Sequence, residues 1–213
     1  TNVWQVAYRI NHGEQGLARA RVTFPEGATS YEMADIISEA IPGFDVNGFL
    51  SLATSTEGYL FPDTYYFFSN AKPEDIIKVV SAEFTQKYRQ LISETDIQMS
   101  PFLSKPLHDV VTMASIVEKE AINDTDRKIV AGILWKRLEK NMPLQVDPPF
   151  QYFLGKASHE LTLADLKVNS PYNTYVNKGL PAGPIGNPGV EALRATMMPT
   201  STRYLFYLSD KTG

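Results

Sequence analysis

The chain has 213 residues, which fits one large domain or two small ones at the usual ~100–200 residues per domain. Hydrophobic residues make up 43% and charged residues 21%, ordinary globular usage that excludes a disordered, collagen-like or coiled-coil chain. The net charge of −4 removes a strong electrostatic case for nucleic acid, and the absence of Cys excludes disulfides, zinc–thiolate sites, iron–sulfur clusters and cysteine nucleophiles.

No apolar run approaches the roughly 18–20 residues that span a bilayer, and no signal peptide opens the chain. It begins Thr1-Asn2-Val3-Trp4, as a cut fragment or mature product would. His12, His108 and His159 lie far apart without HExxH spacing, and GxGxxG, GxxxxGK[ST] and GxSxG are absent. No metal or other cofactor is expected.

Residues 3–9 and 18–24 alternate and carry β-formers, so both read as strands, with a turn through Asn11-His12-Gly13 to Gly16. Pro25-Glu26-Gly27 breaks the second strand. Thr29 then caps a helix, Glu32 completes a capping box, and Met33, Ile36, Ile37 and Ala40 form the apolar stripe before Pro42-Gly43. A shorter helix is expected over 46–54. This order, with Val22 to Thr29 leading into the first helix, resembles the opening of a LysM-like module.

In the segment 57–68, six of twelve residues are Tyr or Phe. Most of these rings read as a core strand and a wedge between subdomains; the competing reading is a wall for sugar stacking. Residues 73–92 form a helix with Pro73, Glu74 and Asp75 in its first turn and a stripe of Ile76, Ile77, Val80, Phe84, Tyr88 and Leu91. Further helices are expected from Leu107 to Ile122 and from Asp126 to Asn141, the latter with Ile129, Val130, Ile133, Leu134 and Leu138 inward. A short helix over 161–167 would be capped by Thr162 with Asp165. Another would open at Asn187-Pro188 and end before Pro199, and Tyr204 to Leu208 reads as a buried strand.

Eight of the fourteen prolines fall between Pro143 and Pro199, together with Gly179, Gly183, Gly186 and Gly189. The stretch is too punctuated for regular structure and too apolar for a disordered linker, so long ordered loops are expected.

The helix Val110 to Ala121 is apolar on nearly every side through Val117 and then presents Glu118 and Glu120. At about 100° per residue these two point roughly 200° apart, so both cannot face one cleft. One should line a site, and the other should pair with Lys119, Arg127 or Lys128. A carboxyl group at the end of a buried helix has its pKa raised by desolvation, as a general acid requires. Gln145 and Asp147 alternate with Leu144 and Val146, which would put them on one face of a short extended segment. Ser170 to Tyr175 and Gly179 to Gly189 supply Tyr, Asn and Thr groups on rigid backbone, suited to a polymeric sugar or to a surface Ω-loop.

Ala114-Ser-Ile-Val-Glu-Lys-Glu120, Arg137-Leu, Leu144-Gln-Val-Asp-Pro148, Tyr172-Asn-Thr-Tyr175, Gly179-Leu-Pro181, Pro184-Ile185 and Asn187-Pro-Gly189, with Glu57 to Tyr65, occur in one order. Together they resemble the membrane-anchored endolytic murein transglycosylases of the MltG (YceG-like) type, collinearly from about residue 22. The resemblance implies an α+β chain with a LysM-like module over 1–56 and a transglycosylase catalytic domain over 57–213. It implies a single-pass N-terminal membrane anchor outside this chain and action on peptidoglycan glycan strands outside the cytoplasmic membrane. Penicillin-binding proteins and the cell-wall synthesis machinery are the partners it implies, and termination of nascent strands the role.

The resemblance places the catalytic acid/base at Glu120, with Glu118 as second choice. Gln145, Asp147, Tyr172, Asn173 and Tyr175 are the candidates to orient the glycan and support Glu120. The family usually continues with a His- and aromatic-containing tail past the position of Gly213, and Pro149 stands where Thr often follows Asp-Pro. The expected product is a 1,6-anhydro-MurNAc end. The competing functions are a conventional muramidase pairing Glu120 with Asp147, and a non-catalytic glycan-binding or scaffold module.

Overall fold

The computed structural model describes Val3, Trp4 and residues 18–208. Val3 and Trp4 are helical and exposed, not extended. The rest of the strand expected over 3–9, and the turn at 11–16, lie outside the described residues.

Strand β1 (Arg19–Thr23) alternates as its sequence requires, with Val22 buried between exposed Arg21 and Thr23. Helix α1 (Ser30–Ala40) starts at a capping box: the Thr29 side chain accepts from the Glu32 amide, and Glu32 accepts from the Thr29 amide at 2.7 Å. Helix α2 (Val46–Ala53) is capped by Asp45, which accepts from the Gly48 amide at 2.9 Å. Strand β2 (Thr64–Phe68) pairs antiparallel with β1, setting Val22 opposite Tyr65. This β–α–α–β unit closes around Val22, Met33, Ile37, Phe49, Leu60, Tyr65 and Phe67. Four of the six rings in 57–68 thus serve the core or its margin, and Tyr66 points outward.

Helix α3 (Pro73–Ser93) joins two cores. Ile76 and Val80 seal the first unit, while Phe84 and Leu91 pack with Ile97 of the one-turn α4 (Thr95–Gln98) in the second unit. Helix α5 (Leu107–Glu120) is buried on every side from Val110 to Val117. Helix α6 (Asp124–Glu139) begins two residues earlier than expected because Asn123 caps it, accepting from the Asp126 amide at 2.9 Å. Met113, Ile116 and Val117 of α5 meet Val130, Leu134 and Trp135 of α6, with Leu144, Val146 and Ile185 filling the remaining side. The fold is a helix-rich α+β arrangement with one two-stranded sheet among the described residues.

Four expectations are corrected in the Pro-rich half. A helix, α7 (Pro148–Leu154), forms there after all. Its two prolines occupy the first turn, where a missing N–H costs nothing, and Gly155 closes it with φ +69°. The helix expected over 161–167 is a single 3₁₀ turn, Asp165–Lys167. The Thr162–Asp165 capping contact does form, with the Thr162 amide 2.9 Å from the Asp165 carboxylate, but Asp165 also holds Lys156 at 2.7 Å. Helix α8 (Val190–Met197) starts at Val190 because Asn187 turns inward rather than capping it. Finally, 204–208 is not a buried strand: it finds no sheet partner among the described residues, and Tyr204, Phe206 and Leu208 are exposed. It is a strap crossing α6. Gly132 permits this, because the Thr200 carbonyl occupies the space a side chain there would need. The Thr200 amide also donates to the Lys128 carbonyl at 2.9 Å.

Candidate functional site

The end of α5 separates the two glutamates. The Glu118 side chain is 4% exposed; it accepts from Arg127 at 2.7 Å and from the Gly189 amide at 2.9 Å. Of the three partners the sequence offered, Arg127 is the one used. Glu120 leaves α5 on another side and lines an open cleft of about 450 Å³ with Arg137, Gln145, Asp147, Tyr175, Phe206 and Tyr207.

The loop between α6 and α7 carries Gln145 and Asp147 to the cleft. Gln145 is not extended but left-handed, φ +48°, a conformation that costs a non-glycine residue about 1–3 kcal/mol and persists only where its surroundings impose it. The surroundings are Thr174 and Arg137. The Gln145 amide donates to the Thr174 carbonyl at 2.9 Å, and the Thr174 hydroxyl bridges the amide and carbonyl of Val146 at 3.2 and 2.7 Å. Arg137 donates to Gln145 Oε1 at 2.5 Å and to the Pro143 carbonyl at 3.1 Å. The Tyr175 hydroxyl donates to Asp147 Oδ1 at 2.6 Å, and its ring meets Phe150 edge-on.

The strap completes the wall. Lys136 donates to the Thr202 carbonyl at 2.6 Å, Arg137 reaches the Leu205 carbonyl at 3.4 Å, and the Phe206 ring lies 5.1 Å from the Arg137 guanidinium. Tyr207 lines the cleft beside Glu120. Burial is the main cause that pushes the Glu120 carboxyl up to about 7; the neighbouring Tyr207 hydroxyl opposes it and the negative charge of Asp147 adds to it. Burial, with Glu120 beside it, holds the Tyr207 hydroxyl above the usual tyrosine range.

Tyr172 and Asn173 do not line this cleft. Tyr172 packs on Tyr152, ring centroids 5.2 Å apart, at the margin of the core between α5 and α6. Asn173 is fully buried and ties its own loop: it donates to the Leu166 and Val168 carbonyls at 3.1 and 2.8 Å and accepts from the Tyr175 amide at 2.9 Å. It thereby aims Tyr175. Arg137, Phe206 and Tyr207 also line the cleft, and the sequence patterning above does not single them out. Arg137 did leave a signal, a lone cation one turn beyond Ile133 and Leu134 on the apolar face of its helix. Among the described residues no cluster of His, Asp and Glu could hold a metal, and no helix is long and apolar enough to cross a membrane.

The profile of the YceG-like family matches residues 1–213. The chain belongs to the YceG-like family. A Bacillus subtilis (strain 168) protein named endolytic murein transglycosylase is 38% identical over 161 residues, covering 74% of this chain and 42% of that protein. A protein of the same name from Streptococcus pneumoniae serotype 2 is 32% identical over 167 residues, 73% of this chain and 28% of its own length. The chain therefore spans less than half of these relatives. Among solved structures, a yceG-like protein from Listeria monocytogenes superposes with a TM-score of 0.76 at 32% identity, over all of this chain and 76% of that one. A YceG-like chain is thus what the cleft at the end of α5 belongs to.

Proposed function

We propose that this chain is the glycan-cleaving part of a peptidoglycan lytic transglycosylase, with Glu120 as its single acid/base. The observation that carries this reading is the Glu120 carboxyl, pushed up to about 7 in an open cleft walled by aromatic and polar groups. A carboxyl group with that pKa is populated in both forms near neutral pH, as a group that first gives and then takes a proton must be. Protonated Glu120 donates to the oxygen linking MurNAc C1 to GlcNAc, and that C–O bond breaks as oxocarbenium character develops. Glu120, now carboxylate, accepts the proton of the MurNAc C6 hydroxyl as its oxygen bonds to C1. The products are a 1,6-anhydro-MurNAc end and a free GlcNAc hydroxyl, with no water consumed.

The remaining cleft groups have supporting roles in this reading. Asp147, held by Tyr175, puts negative charge near the developing cation. Gln145, fixed by Arg137, offers a polar side chain to the glycan. Phe206 offers an exposed ring face. Tyr172 and Asn173 act by shaping the loop that carries Tyr175.

The β–α–α–β order and the β1–β2 pairing support a LysM-like first unit. Because β2 lies beyond residue 56, we draw its boundary after Phe68, with the catalytic unit following. The names of the relatives support action on peptidoglycan; action outside the cytoplasmic membrane, from a membrane anchor, belongs to the same proposal. Termination of nascent strands beside penicillin-binding proteins is the biological setting that follows from this reading.

A second reading has one observation in its favour, since Asp147 shares the cleft with Glu120. Two carboxyl groups flanking a glycosidic bond are what a conventional muramidase needs. Mass spectrometry of digested, uncrosslinked strands separates the two: transglycosylation gives anhydro ends, whereas hydrolysis gives reducing ends that have gained water.

A further inference from the structure

A second concavity, of about 320 Å³, borders the same turn of α5, and its walls come from both units: Tyr31 and Glu32 of α1, Lys119 of α5, and Gln151 and Tyr152 of α7. Lys119 and Glu120 are consecutive on a helix, so their side chains diverge by about 100°. Asp147 and Pro148 are likewise consecutive, and each lines one of the two concavities. The groove and the cleft therefore share the last turn of α5 and the start of α7.

The two walls of the groove are fixed to each other by the segment 185–189. Asn187 Nδ2 donates to Glu57 Oε1 at 2.8 Å and to the Ala28 carbonyl at 2.9 Å, and Asn187 Oδ1 accepts from the Leu60 amide at 2.9 Å. Glu57 also accepts from the Ser30 hydroxyl at 2.8 Å at the start of α1. On the catalytic side, Ser115 accepts from the Ile185 amide at 3.0 Å and Glu118 from the Gly189 amide. Gly186 adopts φ +153° with its backbone against the Gly27 carbonyl, where any side chain would collide. These polar groups are nearly all buried and mutually satisfied, so the start of α1 and the end of α5, which carry Tyr31 and Lys119, are held at a set distance before any ligand arrives.

The lining has the chemistry of a sugar site. Tyr31 is 58% exposed and presents its ring, and Tyr152 presents a second, held against Tyr172. Aromatic faces pack on apolar C–H faces, and Gln151 supplies hydrogen bonds. Glu32 is turned back onto the Thr29 amide, which leaves Lys119 as a cation with no ion pair among the described residues. We propose that this groove binds a sugar of the same glycan strand away from the bond being cleaved, with Tyr31 and Tyr152 on ring faces and Lys119 on a carboxylate borne by a muramyl residue. This rests on the glycan reading above and adds a strand-length preference to it.

The test measures binding of long uncrosslinked glycan strands, and of a tetrasaccharide from the same strands, to the Glu120→Gln protein by isothermal titration. Combining Tyr31→Ala with Lys119→Ala should weaken long-strand binding about tenfold and leave tetrasaccharide binding within about twofold. Gln151→Ala, at another exposed position, should weaken long strands in the same selective way. Unchanged long-strand binding overturns the proposal. So does equal weakening of both ligands, or no measurable binding of long strands to the parent. Formation of anhydro product by the unsubstituted protein is scored separately: its absence overturns the catalytic reading, while the binding comparison still decides the groove.

Discussion

Glu118 and Glu120 leave the same turn of α5 in opposing directions, the first into a buried ion pair with Arg127 at 2.7 Å, the second into the cleft beside Asp147. The division follows from helix geometry, since residues two apart diverge by roughly 200°. It assigns the two carboxylates separate jobs, and each job can be tested.

Glu118→Gln should cost stability before activity. Its carboxylate is the partner of Arg127 and of the Gly189 amide, so the substitution leaves a guanidinium short of a partner at a largely buried site. A loss of about 1–3 kcal/mol in denaturant unfolding is expected, with strand cleavage per folded molecule within about threefold of the parent. A dead Glu118→Gln beside a live Glu120→Gln would transfer the acid/base role.

The pKa of Glu120 sets a pH signature. The folded value, about 7, lies above the ordinary 4.5, so the protonated acid is present below pH 7 and is lost as pH rises through it. The rate of cleavage should therefore fall on the alkaline side with an apparent pKa near 7. Asp147→Asn removes a neighbouring negative charge that raises this value, so the alkaline limb should move to lower pH. A limb that stays in place would detach Asp147 from Glu120.

The same shift makes a stability prediction of opposite sense to Glu118. A carboxyl group whose folded pKa is raised supports the fold fully below the unfolded value and loses that support as pH rises through the folded one. At pH 8 Glu120→Gln should thus be more stable than the parent, by on the order of 1 kcal/mol after allowance for solvent reaching the cleft. At pH 4 the two should melt together. Thermal melts at both pH values check this.

Arg137 is the clasp of the site. It ties the Pro143 carbonyl, Gln145 and the Leu205 carbonyl together and lies against Phe206. Lysine cannot reproduce that fork, so Arg137→Lys should lower stability by about 1–3 kcal/mol and activity by at least tenfold. Hydrogen exchange should quicken in the strap 202–208 and at the Gln145 amide. Unchanged exchange there would mean that the strap is held by something else.

Much of this molecule could be read from its residues because the signals are local. The Thr29–Glu32 capping box, the Pro73 helix start and the diverging glutamates are each set by a few neighbours in sequence. What could not be read is non-local. The segment 204–208 has the composition of a strand, but a strand needs a partner edge, and α6 lies beneath it instead. Gln145 reached the cleft through a left-handed conformation imposed by Thr174 and Arg137, which no alternation pattern encodes. Tyr172 and Asn173 looked like ligand groups because Tyr and Asn carry the right atoms, but those atoms are spent on packing and on loop carbonyls. Pro148 and Pro149 mask α7 in the sequence, because the residue that breaks a helix interior also starts one.

The central claim is that Glu120 alone gives and takes the proton. The most direct measurement is mass spectrometry of uncrosslinked glycan strands incubated with the unsubstituted protein and with Glu120→Gln. Anhydro-MurNAc ends with no gain of water from the first, and a loss of at least 10²–10⁴-fold in the second with its fold intact, are the predicted result. Reducing ends that have gained water, or undiminished anhydro product from Glu120→Gln, would contradict it.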